Sequence, residues 1–194
     1  MFSKDQANRS KFIQTMQILS ESKLFLITAF AFLTALSAQI AIPTKPIPFT
    51  LQTLLVLLSG AFLGARYGAY SQLLYLSMGI IGLPVFAQIP DAPLGLTRII
   101  GPTGGYLLSF PIAAFVTGYL LERKRNYWSV VASMFIGEIL IVFLGVLHLT
   151  VFYTGNLSES IKVGASIFSV WMVVKVFIAT SGYTGISGLK GLFK

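Results

Sequence analysis

Three ionisable side chains lie inside long apolar stretches of the chain: Glu138, His148 and Lys175. An ionisable residue in such a place is a functional hypothesis by default, because burying its charge without a partner costs several kcal/mol. Two interpretations are open for Glu138 and Lys175. Either they form a structural ion pair between helices, or Lys175 faces a cavity and neutralises an anionic ligand. We interpret His148, near the end of its stretch, as a structural histidine whose hydrogen bonds are satisfied.

Catalysis finds no support in the sequence. The chain has no His-Glu-x-x-His pair for zinc, no two carboxylates within one apolar stretch, and no Gly-x-x-x-x-Gly-Lys-Ser/Thr loop for phosphate. It has no Cys, which excludes disulfides, thiolate metal sites and cysteine nucleophiles together. We therefore predict that the protein is not an enzyme and holds neither a metal nor a cofactor. If ATP drives its work, another subunit must hydrolyse that ATP.

The elements that position these side chains are predicted to be membrane helices. Of the 194 residues, 55% are apolar and only 10% are charged, whereas soluble domains carry roughly 25% charged residues. Mean hydropathy is +0.81. A bilayer core about 30 Å thick is crossed by about 20 apolar residues of helix. The charges separate six such stretches, at roughly 24–42, 49–65, 67–87, 103–121, 128–152 and 163–188.

The basic residues predict which way the helices cross the membrane. With six spans both termini share one side, and that side carries ten of the 14 Lys and Arg residues: Lys4, Arg9, Lys11, Lys23, Arg66, Arg123, Lys124, Arg125, Lys190 and Lys194. Basic residues concentrate on the cytoplasmic side of membrane proteins. We therefore predict an all-α integral membrane protein of the cell membrane, a compact multi-pass bundle of six transmembrane helices with both termini cytoplasmic. This topology accounts for the net charge of +8, so the predicted partner is the lipid bilayer and not a nucleic acid.

The chain is predicted to form one domain, because the spans leave only short connections between them. Residues 1–23 are predicted to be a polar cytoplasmic N-terminal segment, which lacks the apolar core of a signal peptide. Residues 24–194 are predicted to form the single six-helix transmembrane domain.

Small residues repeat at helical spacing in two places. Ala31 and Ala35 lie one turn apart in the first span, and Gly60, Gly64 and Gly68 follow each other at intervals of four. Such repeats let helices approach closely in lipid. We interpret the glycines as internal packing. For the alanines, internal packing and contact with a partner helix are both open.

Two loops on the predicted outer side are unusual. Residues 42–49 contain three prolines, which hold this connection extended. Residues 87–102 form the longest connection and lead into Gly101-Pro102-Thr103-Gly104-Gly105-Tyr106 at the start of the fourth span. For this segment a turn before a helix and a ligand site are both open, since glycines allow the backbone to approach a ligand closely.

Three segments together carry a family resemblance. They are residues 42–53, which include Pro46-Ile47-Pro48-Phe49-Thr50-Leu51-Gln52-Thr53, residues 79–86, which read Gly79-Ile80-Ile81-Gly82-Leu83-Pro84-Val85-Phe86, and residues 101–106. The chain resembles the BioY family, the biotin-specific substrate-binding subunits (S-components) of energy-coupling factor transporters. The resemblance covers about residues 24–180 in order. It implies six transmembrane helices, biotin as the transported ligand, and assembly with a transmembrane coupling subunit and two ATP-binding subunits.

The resemblance also implies which residues bind these partners. Lys175 would pair with the valerate carboxylate of biotin, and Trp171 and Met172 would pack on its bicyclic ring. The full set of implied substrate-binding residues is Gln52, Gln88, Asp91, Gly104, Gly105, Tyr106, Trp171, Met172 and Lys175, with Glu138 as the candidate ion-pair partner of Lys175. Ala31 and Ala35 correspond to the Ala-x-x-x-Ala signature through which the family contacts its coupling subunit.

The chain departs from the family at two places where biotin is bound. The family's last helix carries an acidic residue three positions before the lysine, and here that position is Met172. The loop before the fourth helix is longer, so Gln88 or Asp91 has to replace the family's asparagine. An S-component for another vitamin and a non-transporting membrane scaffold are therefore kept as alternatives to biotin uptake.

Single cysteines test the predicted orientation, since the chain has no Cys of its own. Thr44→Cys and Pro93→Cys should react with a membrane-impermeant thiol reagent in intact cells, because both positions are predicted to lie outside. Asn126→Cys, predicted in the cytoplasm, should react only after the cells are opened. Labelling of Asn126→Cys alone in intact cells would show that the orientation is reversed.

Overall fold

The computed structural model describes residues 22–42, 44, 47–88, 94–164 and 169–192. Within these residues the chain forms seven α-helices, a π-helical turn and one pair of short antiparallel strands. The elements are α1 (Lys23–Gln39), β1 (Ala41–Ile42), β2 (Phe49–Thr50), α2 (Gln52–Ile80), α3 (Leu96–Ile100), α4 (Gly104–Arg123), α5 (Tyr127–Leu149), the π-helical turn (Thr150–Thr154), α6 (Leu157–Gly164) and α7 (Ser169–Leu192). The prediction of a mainly helical chain is confirmed. Almost all of the predicted N-terminal segment, residues 1–23, lies outside the described residues.

Helix α2 breaks at Gly64 and folds back on itself. Gly64 has φ 81° and ψ 178°, a conformation that side chains other than glycine rarely adopt. The Ser59 hydroxyl accepts a hydrogen bond from Gln72 Nε2 at 3.1 Å, although a straight helix would separate the two residues by about 20 Å. A Cβ atom on Gly68 would lie 2.7 Å from the Cα of Gly60. The two halves of α2 therefore touch because both contact positions are glycine.

A carboxylate from another helix caps this break. Glu122 Oε1, near the end of α4, accepts a hydrogen bond from the Ala65 N–H at 2.8 Å. Ala65 begins the second half of α2, where an N–H has no partner inside the helix. The break lies at the boundary that the sequence predicted between the stretches 49–65 and 67–87, and the interpretation of the glycine repeat as internal packing is confirmed.

The core consists of two clusters of buried apolar side chains. One surrounds Tyr75, Tyr106 and Phe110 and draws on α1, α2, α4 and α5. The other surrounds Leu57 and Met134 and joins α2, α4, α5 and α7. Helices α2, α4 and α5 contribute to both clusters. They therefore form the centre of the bundle, against which α1 and α7 pack.

The outer surface of the bundle is apolar. Among the described residues, three helical segments are long and apolar enough to cross a membrane: α2, α4 and Tyr127–Thr154, which is α5 with its π-helical turn. Helix α1 is a shorter apolar helix. Large apolar side chains such as Phe32, Ile112 and Phe143 are about half exposed on these helices. Soluble proteins rarely expose large continuous apolar patches, so this surface is suited to lipid.

The alanine pair of the first span lies inside the bundle. Ala31 is 0% exposed and Ala35 is 8% exposed, and both belong to the apolar core. Between them Thr34 accepts a hydrogen bond from Gln72 Nε2 of α2 at 3.2 Å. The opposite face of α1 is exposed and carries Phe32. Internal packing thus describes the two alanines in this structure, and their contact with a partner subunit stays a prediction.

Adjacent tryptophan substitutions on α1 test the internal packing of Ala31. Ala31→Trp should lower the free energy of unfolding by about 1–3 kcal/mol, because an indole has no room in a filled core. Phe32→Trp, one residue along, should change it by less than about 0.5 kcal/mol, because this side chain is on the surface. Thermal unfolding of both variants in detergent measures the difference. Equal stability of the two variants would contradict the buried position of Ala31.

Candidate functional site

A buried ion pair joins two helices in the middle of the bundle. Lys175 Nζ of α7 lies 2.8 Å from Glu138 Oε1 of α5, and both side chains are almost fully buried. The structure thus brings together the two charged side chains that the sequence analysis singled out. Such a pair holds its helices in place, because separating it would leave a charge buried without a partner. The ion pair proposed in the first interpretation is present in the structure.

Thr53 completes the pair from a third helix. Its hydroxyl accepts a hydrogen bond from Lys175 Nζ at 2.5 Å and donates one to Glu138 Oε1 at 3.0 Å. The ring of Phe49 lies against the same lysine, with its centroid 5.3 Å from Nζ, in the range of a cation–π contact. The sequence analysis missed Thr53, although it named the adjacent Gln52. One hydroxyl in an apolar helix gives no signal that distinguishes it from other threonines.

A cavity lies beside this cluster, and Thr53 is part of its wall. It is lined by β2, the turn before it, and parts of α2, α3, α4 and α5. Its polar lining residues are Thr50, Gln52, Thr53, Arg98, Thr103 and Tyr106; the others are Ile47, Pro48, Phe86, Ala87, Leu107, Phe110 and Ile141. A mainly apolar hollow with a few fixed polar groups is the usual form of a small-molecule site.

Gln52 belongs to a hydrogen-bonded network in the cavity wall. Its Oε1 accepts a hydrogen bond from the Thr50 hydroxyl at 2.9 Å, and its Nε2 donates one to the Tyr75 hydroxyl at 2.5 Å. Tyr75 in turn donates to the Val85 carbonyl at 3.2 Å. These bonds hold the amide in one orientation at the cavity.

Of the two loop candidates, Gln88 is exposed and is not among the lining residues, and Asp91 lies outside the described residues.

Arg98 places a second cation in the cavity wall. The side chain is 6% exposed and donates a hydrogen bond to the Ala87 carbonyl. Among the described residues no carboxylate pairs with it. Burial lowers the pKa of Arg98 from its ordinary value, because an incompletely solvated guanidinium ion is less stable than one in water. The sequence analysis did not single out Arg98 within the segment 87–102, since one cation in a polar loop is unremarkable.

The start of α4 passes very close to its neighbours at two glycines. A Cβ atom on Gly104 would overlap the Ile99 carbonyl, and one on Gly105 would overlap the His148 side chain. These glycines therefore serve close packing behind the cavity, while Tyr106 lines it and donates a hydrogen bond to the Gly164 carbonyl at 3.1 Å. Thr103 Oγ1 is buried beside the same cavity without a hydrogen-bond partner among the described residues.

His148 differs from its prediction. Its Nδ1 is buried and has no hydrogen-bond partner within the described part of the chain, so the expectation that its hydrogen bonds are satisfied is wrong for this nitrogen. The physical reason is the packing around the imidazole, which leaves Nδ1 without a partner. The imidazole is held between the start of α4 at Gly105 and the ring of Phe152, whose centroid lies 4.8 Å away.

Trp171 and Met172 lie away from the cavity lining. Trp171 is 49% exposed, and its ring centroid lies 5.3 Å from that of Phe49. Met172 lines a separate apolar groove between α5, α6 and α7, together with Ile139 and Leu157. Both residues are within about one turn of Lys175, but neither is among the residues that line the cavity. Their contact with a ligand stays a prediction.

Comparison with known proteins assigns the chain to a family. The model of the BioY family matches residues 9–190, which is most of the chain. The chain belongs to the BioY family. The resemblance inferred from three sequence segments is thereby confirmed. As a member of this family of transporters, the chain is a transporter subunit and not an enzyme.

Individual BioY relatives extend over most of the chain. The biotin transporter BioY of Thermotoga maritima is 39% identical over 150 residues, which are 77% of this chain and 86% of that protein. The biotin transporter BioY2 of Lactococcus lactis subsp. cremoris is 32% identical over 167 residues, 84% of this chain and 90% of that protein. A crystal structure of the S-component for biotin from an ECF-type ABC transporter matches with a TM-score of 0.75 at 22% identity, over 86% of this chain and 90% of that one. This likeness shows that the BioY chain described here has the S-component fold.

A single and a double variant test whether Glu138 and Lys175 depend on each other in this BioY protein. Lys175→Met should lower the free energy of unfolding by about 3–5 kcal/mol, because it leaves the Glu138 charge buried and unpaired. Adding Glu138→Gln should restore most of that loss. Thermal unfolding in detergent gives both values, with the exposed Lys124→Met as the control. A double variant as unstable as Lys175→Met would contradict this dependence of the two charges on each other.

Proposed function

We propose that this protein takes up biotin, as the membrane-embedded, high-affinity binding subunit of an energy-coupling factor transporter. The observation that carries the proposal is the BioY family match over residues 9–190, supported by relatives that are named biotin transporters. The cavity fits the role, since its lining is largely apolar, as a bicyclic ring requires, and also contains a buried cation. Biotin is then the transported ligand and not a cofactor.

In this proposal Arg98 binds the valerate carboxylate of biotin. Lys175 was the expectation from sequence, but its charge is already neutralised by Glu138 at 2.8 Å. Arg98 lines the cavity and has no carboxylate partner among the described residues. A ligand carboxylate at this guanidinium supplies the missing counter-charge, and hydrogen bonds between two ions are the stronger ones. Gln52, Tyr106 and Thr103 supply polar groups for the rest of the ligand.

The proposed topology has six transmembrane elements and places the cavity at the outer end. The elements are α1, the two halves of α2, α4, α5 and α7, which together form one domain over residues 24–194. An even number puts both termini in the cytoplasm of a multi-pass protein of the cell membrane, with residues 1–23 as a cytoplasmic segment. The distribution of charge supports this orientation, because Arg123, Lys124 and Arg125 lie at the end of α4 that is opposite the cavity.

Energy for transport is proposed to come from other subunits. The sequence has no phosphate-binding loop of its own, so a transmembrane coupling subunit and two ATP-binding subunits complete the transporter. Co-purification from cells that produce all four chains tests this assembly. The BioY chain recovered without any of the others under mild detergent would contradict it.

Calorimetry of the purified protein tests the ligand directly. Biotin should bind with a stoichiometry of one, whereas thiamine and riboflavin should not bind, because neither carries a carboxylate for Arg98. Binding of another vitamin in preference to biotin would favour the alternative S-component. The absence of binding by any vitamin would favour the membrane scaffold.

Comparison of biotin with its amide locates the carboxylate. Arg98→Gln should weaken biotin binding by about 1.5–3 kcal/mol, the value of a hydrogen bond to a charged group. It should weaken biotin amide, which lacks the negative charge, much less. The exposed Arg66→Gln is the matched control and should leave both affinities unchanged. Equal losses for the acid and the amide in Arg98→Gln would show that Arg98 does not bind the carboxylate.

A further inference from the structure

A second hollow lies toward the end of the bundle that is opposite the cavity. It is lined by the first half of α2, the start of α5, the C-terminal part of α7 and the turn between α4 and α5. Its apolar lining residues are Ala61, Phe62 and Val130, and the turn contributes Arg125. We call this hollow the Arg125 groove. Within the described part of the chain, it shares no lining residue with the cavity.

Arg125 brings a positive charge to this groove without a matching negative one. Its Nε donates a hydrogen bond to the Leu121 carbonyl at 3.2 Å, which holds the side chain against the end of α4. No carboxylate among the described residues pairs with its guanidinium, because the neighbouring Glu122 instead accepts a hydrogen bond from the Ala65 N–H. Lys124 adds a second exposed cation to the same turn. The groove therefore attracts an anion.

Two hydroxyl groups of α7 line the same groove. Tyr183 is only 6% exposed, and its ring packs against Phe62 at a centroid distance of 5.0 Å. Its hydroxyl has no hydrogen-bond partner among the described residues, although a buried tyrosine usually finds one. Ser187 also lines the groove, lies one helical turn later on the same face, and is likewise unpaired in the described residues. The hydroxyl of Thr184 is already used, since it donates to the Thr180 carbonyl at 2.8 Å.

The groove thus offers one guanidinium and two hydroxyl donors, a set of groups that suits a phosphate. Its position fits the same ligand. Helix α4 and the segment Tyr127–Thr154 are both long and apolar enough to cross a membrane, so the short turn between them lies at a membrane surface whichever way the protein is oriented. Tyr127 and Trp128 follow this turn and are exposed, as aromatic residues at the membrane–water interface are. Phospholipid phosphates lie at this level.

We propose that the Arg125 groove binds the headgroup of an anionic phospholipid. The phosphate accepts hydrogen bonds from Arg125, Tyr183 and Ser187, and the glycerol and acyl chains lie against the apolar lining residues. Basic pockets between membrane helices bind such headgroups. A choline headgroup fits less well, because it would place a second cation beside the guanidinium. The bound lipid would contact α2, α5 and α7, the three helices that the buried ion pair also joins. This inference does not depend on the proposed function.

Native mass spectrometry of the purified protein measures the binding. With equal amounts of phosphatidylglycerol and phosphatidylcholine in the detergent, one phosphatidylglycerol should be retained in preference. Arg125→Gln should weaken its binding about 10-fold, because a charge-assisted hydrogen bond is lost. Lys124→Gln removes the same charge from the same turn, outside the groove lining, and should change the affinity by less than about twofold. Equal losses for the two variants would show a general attraction to the surface and overturn the inference.

The two hydroxyl groups are tested separately, with substitutions that keep the packing. Tyr183→Phe and Ser187→Ala should each weaken phosphatidylglycerol binding by about 2- to 10-fold, the value of one neutral hydrogen bond. Unchanged thermal stability without lipid shows that each variant is folded. If neither substitution weakens the binding, the groove is not the site. These two variants also decide the question should Arg125→Gln fail to fold.

Competition distinguishes a lipid from the other ligands that this chemistry admits. Inorganic phosphate and glycerol phosphate at millimolar concentration should not displace the lipid, since neither contacts the apolar lining residues. Displacement by either would show a site for a free anion and overturn the assignment to lipid. If the three variants retain phosphatidylglycerol as wild type does but lose a co-produced transmembrane subunit, the groove is a protein contact, which also overturns it.

Discussion

The arrangement of this bundle depends on keeping two opposite charges together in an apolar interior. Glu138 and Lys175 come from α5 and α7, and Thr53, from α2 much earlier in the chain, contacts both. Each charge loses its hydration when it is buried, and their mutual attraction offsets that loss only at close range and in good geometry. The cluster therefore restricts the rotation of α2, α5 and α7 about their own axes. If only apolar side chains met here, rotating or shifting these helices would cost less free energy.

Glycine contacts give the same centre its tight packing. Gly60 meets the backbone of α4 near Ala114, and Gly118 meets α2 near Ala65. Side chains at these places would push the helices apart, so van der Waals contact between backbones stabilises the bundle where lipid provides no hydrophobic driving force. The cavity lies at the end where this close contact gives way to the strand pair and the short helix α3. A rigid centre thus carries a ligand site made partly of loops, a common division of roles.

Sequence reasoning predicted what depends on composition and missed what depends on orientation. Glu138 and Lys175 were identified because charges are conspicuous in apolar stretches, and the break near Gly64 because the adjacent Arg66 interrupts the apolar run. The burial of Ala31 and the position of Met172 in the apolar groove depend on the rotation of each helix about its own axis. This rotation cannot be predicted from the sequence of a weakly amphipathic membrane helix, because its polar residues do not recur at helical spacing. The roles of Thr53 and Arg98 depend on contacts between distant segments. Neither residue type is unusual at its own place in the sequence.

The carboxylate that caps the break in α2 has a consequence for biosynthesis. The Ala65 N–H is bonded to Glu122, which follows it by almost a third of the chain. During translation this N–H therefore has no carboxylate to meet until α4 has been made. Ala65 is buried in the finished bundle, and a buried N–H without an acceptor is destabilising, so the reversal of α2 acquires its final stability only after α4 has entered. The order of synthesis thus makes the completed turn a late product of assembly, although both of its halves are among the first helices to be inserted.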